Sequence, residues 1–233
     1  MHPAAVSPLP PLATVLASSP EPTSPLATAL SVLFEPSPIL LAQLVPQLAH
    51  AFAAESQPKP SSYAALIDTA ITAIAAWPAA QQAAFVAAHP RIGESAALST
   101  LSAQEQGGAA ATPPAVLARL AHLNACYEAT YPGLRYVTFV AGRPRAAIAE
   151  ELEDVLGVAH SLGAEPLLST CVPEPVEGPK WQAELKRAVV DVGRIAKARL
   201  ALTQKKRKKQ DTPAAPLAGA PPTPGSSGTA APG

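Results

Sequence analysis

The sequence predicts an all-α protein, a single compact multi-helix domain of about six to eight helices between two tails without packed structure. Three observations carry that prediction. Apolar side chains recur at spacings of three and four through most of residues 29–204, the period of a helix with one buried face. Prolines and Ser/Thr residues fall where those stretches begin or end. Only Leu134–Val140 has strand-like composition, and a single extended run cannot build a sheet.

The 233 residues include 28 prolines, concentrated at the two ends and in one internal loop. Residues 1–28 are rich in Pro, Ser and Ala, and residues 205–233 combine a basic run with an Ala/Pro/Gly tail. Such compositions bury too little apolar surface to offset chain entropy, so both ends are predicted to be disordered and the tail dispensable. Residues 29–204 remain, enough for one core.

Ser37-Pro38 opens the first predicted helix as cap and first-turn proline, with Leu44, Leu48 and Phe52 on its face. Ser61-Ser62 starts a second, through Leu66, Ile67, Ile71 and Ile74 to Trp77, where Pro78 stops it. Residues 79–88 form a third, ending at His89 because the residue before a proline disfavours helical geometry. Thr112-Pro113 precedes a longer helix ending at Tyr131-Pro132-Gly133. Another spans Arg145–His160, residues 161–179 form a Pro- and Gly-punctuated loop, and Trp181–Lys206 is the last helix.

With 15% charged residues, the chain gathers chemistry in few places. The densest is His89-Pro90-Arg91-Ile92-Gly93 followed by Ser102-x-x-Glu105-Gln106, which supplies an imidazole, a hydroxyl, a carboxylate and a carboxamide. Ser-x-x-Glu is also the pattern of a capping box, which accounts for Ser102 and Glu105 without function but says nothing of His89 or Gln106. His2, His50, His122 and His160 lack such neighbours and read as structural. In the last helix Trp181, Leu185, Ala188, Val192 and Ile195 form a stripe that also carries Arg199. A guanidinium on a buried face needs an acceptor, for which Glu105 or a substrate carboxylate is the sequence's candidate; the alternative is an arginine that snorkels from the helix end.

Composition removes several classes. Five of the 17 basic residues sit at Lys205–Lys209, leaving a mildly acidic body with 4% aromatics, a poor nucleic-acid surface. That basic run fits a solvated helix end and leaves nuclear import open. Cys126 and Cys171 have neither metal-ligand spacing nor a disulfide framework, and Cys126 reads as core. There is no apolar run of membrane-spanning length, no secretory leader and no C-terminal peroxisomal signal. The expected setting is cytoplasmic or peroxisomal, the expected partner a small molecule, with no membrane and no nucleic acid as primary ligand. The oligomeric state stays open, a homodimer being one option.

These motifs, together with Leu33-Phe34-Glu35-x-Ser37-Pro38, Leu123-Asn124-x-x-Tyr127, Gly142-Arg143-x-Arg145 and Ile195 with Arg199-Leu200, occur in the order of the 2-oxo-4-hydroxy-4-carboxy-5-ureidoimidazoline (OHCU) decarboxylase family, which the chain resembles over about residues 30–203. The resemblance implies an all-α, cofactor-independent and metal-free carboxy-lyase of purine (urate) catabolism that makes (S)-allantoin. It implies His89 as acid/base residue and Glu105 as partner of the substrate hydroxyl or ring nitrogens, with Ser102, Gln106, Arg199 and Pro90 as binding groups. The loop at 161–179 reads as an insertion, which makes Arg194 the alternative to Arg199. Where the family has a Phe-Gly-Phe-Pro-Phe type segment, this chain has Tyr131–Val140. The other classes that fit the same residues are a ureide-binding module without turnover and a helical interaction domain.

Overall fold

The computed structural model describes residues 9–54, 58–94 and 112–210, and within them the chain is all-α, with eight α-helices and no strand. The helices are α1 (Leu12–Leu16), α2 (Pro25–Phe34), α3 (Val45–Ala53), α4 (Tyr63–Ala75), α5 (Ala79–Val86), α6 (Pro114–Thr130), α7 (Arg145–Leu156) and α8 (Pro179–Gln210). Serine caps open several of them as the sequence indicates. The Ser24 and Ser62 hydroxyls accept from the Ala27 and Ala65 amides, and Ser37 accepts from Leu40. Before α3 the chain makes a π-helical turn, Leu40–Leu44. Pro46 follows it closely, and a proline has no amide to donate and crowds the carbonyl four residues back, so the wider turn takes up the misfit.

The long helix α8 is the centre of the fold, packing against α2, α4 and α5, while α6 lies against α7. Its buried stripe contains Trp181, Leu185, Ala188, Val192 and Ala196. At Gly193 an added Cβ would lie 3.0 Å from Ile71, so glycine lets α4 and α8 approach closely. Arg119 of α6 bonds Glu153 of α7 at 2.7 Å, both side chains almost fully buried.

The folded unit is larger at both ends than residues 29–204. Val15 and Leu26 are completely buried, Ser18 Oγ accepts from the Leu26 amide, and Tyr63 donates to the Pro10 carbonyl at 2.6 Å. The apolar residues of 9–28 are few but regularly placed, and their burial outweighs the Pro/Ser content on which the expectation of disorder rested. At the other end α8 continues through the basic run to Gln210. Leu134–Val140 pairs with no strand, and α7 ends at Leu156, short of His160. Among the described residues no helix is long and apolar enough to cross a membrane.

Removing one partner of a buried ion pair strands the other charge, at a cost of about 3–5 kcal/mol. Glu153→Ala should therefore lower the stability of the folded chain by that amount in chemical denaturation. A loss comparable to that of an ordinary surface substitution would show that Arg119 is satisfied without Glu153.

Candidate active site

Pro90 turns the chain out of α5 and leaves His89 at the exit, buried and 2% exposed. Three side chains fix the segment that follows. Arg135 donates to the carbonyls of Ala87 and His89, the latter at 2.8 Å. Asn124 of α6 donates to the Ile92 carbonyl at 3.0 Å, and Arg91 grips Glu128 through two bonds of 2.6 and 2.9 Å. Gly93 adopts φ 88°, and a Cβ there would meet Leu120 at 3.2 Å, so both conformation and space require glycine.

Facing His89 runs the irregular segment 134–142. With no neighbouring strand, its polar groups are satisfied by side chains. Arg187 donates to the Val137 carbonyl at 2.9 Å and stacks over the Tyr136 ring, and Arg143 donates to the carbonyls of Phe139 and Val140. The Tyr136 and Thr138 hydroxyls share Glu151 at 2.7 and 2.6 Å, and Arg143 pairs with the same carboxylate. The anchors explain how an extended wall persists without a sheet.

His89, Pro90, this wall and the C-terminal part of α8 enclose a cavity of about 420 Å³. Arg199 lines it, 2% exposed, as does Lys205. The lining is mostly apolar, with His89 and Arg199 as the buried polar groups among those predicted from sequence. Arg194 is elsewhere: its side chain is 62% exposed and pairs with Asp191. Of the two arginines, Arg199 is the one that lines the cavity. Ser102, Glu105 and Gln106 lie outside the described residues.

One acceptor of Arg199 is a residue that the sequence did not name. Glu35, just after α2, receives its Nη2 at 2.8 Å, within a pair both of whose side chains are nearly buried. Glu35 is held at φ 69° and ψ 137°, sparsely populated for a residue with a side chain. Sequence reasoning did not assign Glu35 to the site, although a carboxylate between a buried helix and two prolines was a signal. Arg135, Arg187 and Lys205 were also missed, the last because it begins the basic run.

His89 is the chemically unusual group. Neither ring nitrogen has a hydrogen-bond partner among the described residues, and its closest ring neighbour is Phe85, edge-on at 6.1 Å. Burial, reinforced by the positive charge of Arg199 and opposed by Glu35, pushes its pKa down to about 4. The imidazole is therefore neutral at pH 7. Leaving buried polar atoms unpaired costs about 1–3 kcal/mol each, so the position is an unfavourable one for an imidazole by itself. No group of three or more His, Cys, Asp or Glu that could hold a metal ion occurs among the described residues.

A family model described as OHCU decarboxylase matches residues 21–161. No curated protein and no solved structure matches the chain. The matched stretch contains His89, Pro90 and the wall segment, whereas Arg199 lies beyond it and joins them through the fold.

The depressed His89 pKa makes stability pH-dependent with a defined sign. Above about pH 6.5 both folded and unfolded chains hold neutral imidazole; as pH falls from 6.5 to 4 only the unfolded chain takes up the proton, so stability drops. The full effect is about 3 kcal/mol. Denaturation across this range should show His89→Ala losing correspondingly less stability than the parent, and parallel curves for the two proteins would refute a buried neutral His89.

Proposed function

The chain belongs to the OHCU decarboxylase family and is thus a lyase of urate degradation, and from that premise we propose that it converts 2-oxo-4-hydroxy-4-carboxy-5-ureidoimidazoline to (S)-allantoin and CO₂ in the cavity between His89 and Arg199. The observation that carries this reading is a buried histidine with two unpaired nitrogens beside a buried arginine. A small polar anion suits such a site, which sets a positive charge and an imidazole with hydrogen-bonding capacity to spare in an otherwise apolar cavity.

The substrate carries its own electron sink, so no step calls for a cofactor. Its carboxylate is on the ring carbon next to a C=N bond. As the C–C bond to CO₂ breaks, the electron pair moves into that C=N, and the ring nitrogen takes one proton from solvent. The product of this step is an enol whose oxygen is the former hydroxyl. The enol then loses its O–H proton while the neighbouring carbon gains one and becomes the stereocentre. A neutral His89 is suited to both parts: it accepts the hydroxyl proton and, now an imidazolium, returns it to carbon on the face the cavity presents. Starting neutral, His89 must first take the proton that it delivers.

Arg199 supplies positive charge for the carboxylate and for the ring anion left behind, in surroundings whose apolar walls strengthen that interaction. Lys205 adds a second cation at an exposed position of the lining. Pro90 shapes the floor beside His89. Ser102, Glu105 and Gln106 complete the reading as binding groups on the family resemblance, with Glu105 holding the hydroxyl.

The test is turnover of freshly generated substrate, with CO₂ release measured directly and allantoin chirality followed by circular dichroism. His89→Ala should keep its fold and lower kcat by roughly 10²–10⁴. Without a chiral proton donor the residual product should be racemic, because reaction in solution favours neither face. Wild-type rate and an excess of the S form from His89→Ala would remove His89 from the chemistry, and binding without CO₂ release by the parent protein would replace the enzyme with a ureide-binding module.

A further inference from the structure

The loop joining α7 and α8 lies beyond the family match, which ends at residue 161. It exposes Leu162, Leu167, Leu168, Val172 and Val176, so it has little core of its own. A seam of polar contacts fastens it to α6. Arg119 donates to the carbonyls of Gly163 (2.9 Å) and Glu165, His122 Nε2 lies 2.8 Å from the Pro166 carbonyl, and the Glu174 amide donates to Thr130 at 2.7 Å.

Both cysteines of the chain fall in this seam. Cys126, on α6, is buried with its Sγ 3.7 Å from the Pro166 carbonyl and 3.4 Å from His122 Nε2. Cys171 follows the 3₁₀ turn Leu168–Thr170, is half-buried, and places its Sγ 3.9 Å from the Leu167 carbonyl. The two thiols thus rest on the carbonyls of consecutive residues, Cys171 close enough to influence the ionisation of Cys126, and both are free.

We propose that Cys126 and Cys171 form a reversible oxidation site, in which a disulfide bolts the 161–178 loop to α6. The oxidant is a small disulfide of the glutathione class. Cys171, the more accessible thiol, attacks first: its thiolate bonds to one glutathione sulfur and expels the other as thiolate. Cys126 is unsuited to that step, since burial, together with the neighbouring Cys171, pushes its thiol up to about 11. It acts second. Its proton passes to the released glutathione thiolate, the Cys126 sulfur attacks the Cys171 sulfur, and the second glutathione departs. Two protein thiols become one disulfide, and one glutathione disulfide becomes two glutathione thiols. The positive charge of Arg119, which holds the same loop, favours the Cys126 thiolate in this second step. The site is independent of the proposed decarboxylation.

The experiment incubates the full chain in buffers of graded reduced-to-oxidised glutathione ratio, quenches with acid, alkylates free thiols and maps non-reduced tryptic peptides by mass spectrometry. The expected result is a monomer in which the peptides containing Cys126 and Cys171 are joined, with two hydrogens lost, both alkylation sites gone and no glutathione retained. Cys126→Ser, or Cys126→Ala if serine prevents folding, should instead stop with glutathione on Cys171. Retention of glutathione on the parent protein, a link between two chains, or two thiols still free in the most oxidising buffer would each overturn the proposal.

Discussion

The site depends on one buried ion pair. Glu35 and Arg199 are 164 positions apart in sequence and meet at 2.8 Å where the end of α2 touches the last turns of α8. Neither charge is tolerable alone in that interior, so each fixes where the other's helix must lie. The pair also sets the chemistry next to it. It retains a guanidinium in the wall of an apolar cavity, and that positive charge adds to burial in keeping His89 neutral.

The remaining precision comes from side chains clamping irregular backbone. His89–Gly93 and 134–142 are both non-helical, yet each is tied to a helix, the first through Asn124 and Glu128 of α6, the second through Glu151 of α7 and Arg187 of α8. Arg135 joins the two segments directly by capping the carbonyls at the end of α5. Loops held this way combine the close backbone approach a small ligand needs with the fixed geometry that catalysis needs.

Much of this was legible locally. Ser37, Ser62, Pro78 and Pro90 mark boundaries because capping and proline sterics act within a few residues, and the α8 stripe announced a buried Arg199 through its periodicity. What stayed hidden depends on contacts distant in sequence. Nothing near Glu35 names its partner, nothing in the spacing of Cys126 and Cys171 brings them to adjacent carbonyls, and Arg135 reads as an ordinary loop cation. The N-terminal misreading has the same origin: Val15 and Leu26 stand in a Pro/Ser-rich segment, and only the surface that receives them makes them core.

A largely apolar cavity with few charges is a coherent setting for loss of CO₂. A carboxylate carries concentrated charge that water solvates strongly, whereas the charge left as the bond breaks is spread over a ring. Apolar walls such as Ile92, Val137 and Ile195 withdraw water from the concentrated charge more than they penalise the dispersed one. Fixed dipoles and the Arg199 charge do not have to reorganise as the charge moves. The same walls keep His89 unprotonated, which is why, in the proposed reaction, a neutral base that becomes the acid fits this cavity better than a histidine charged from the start.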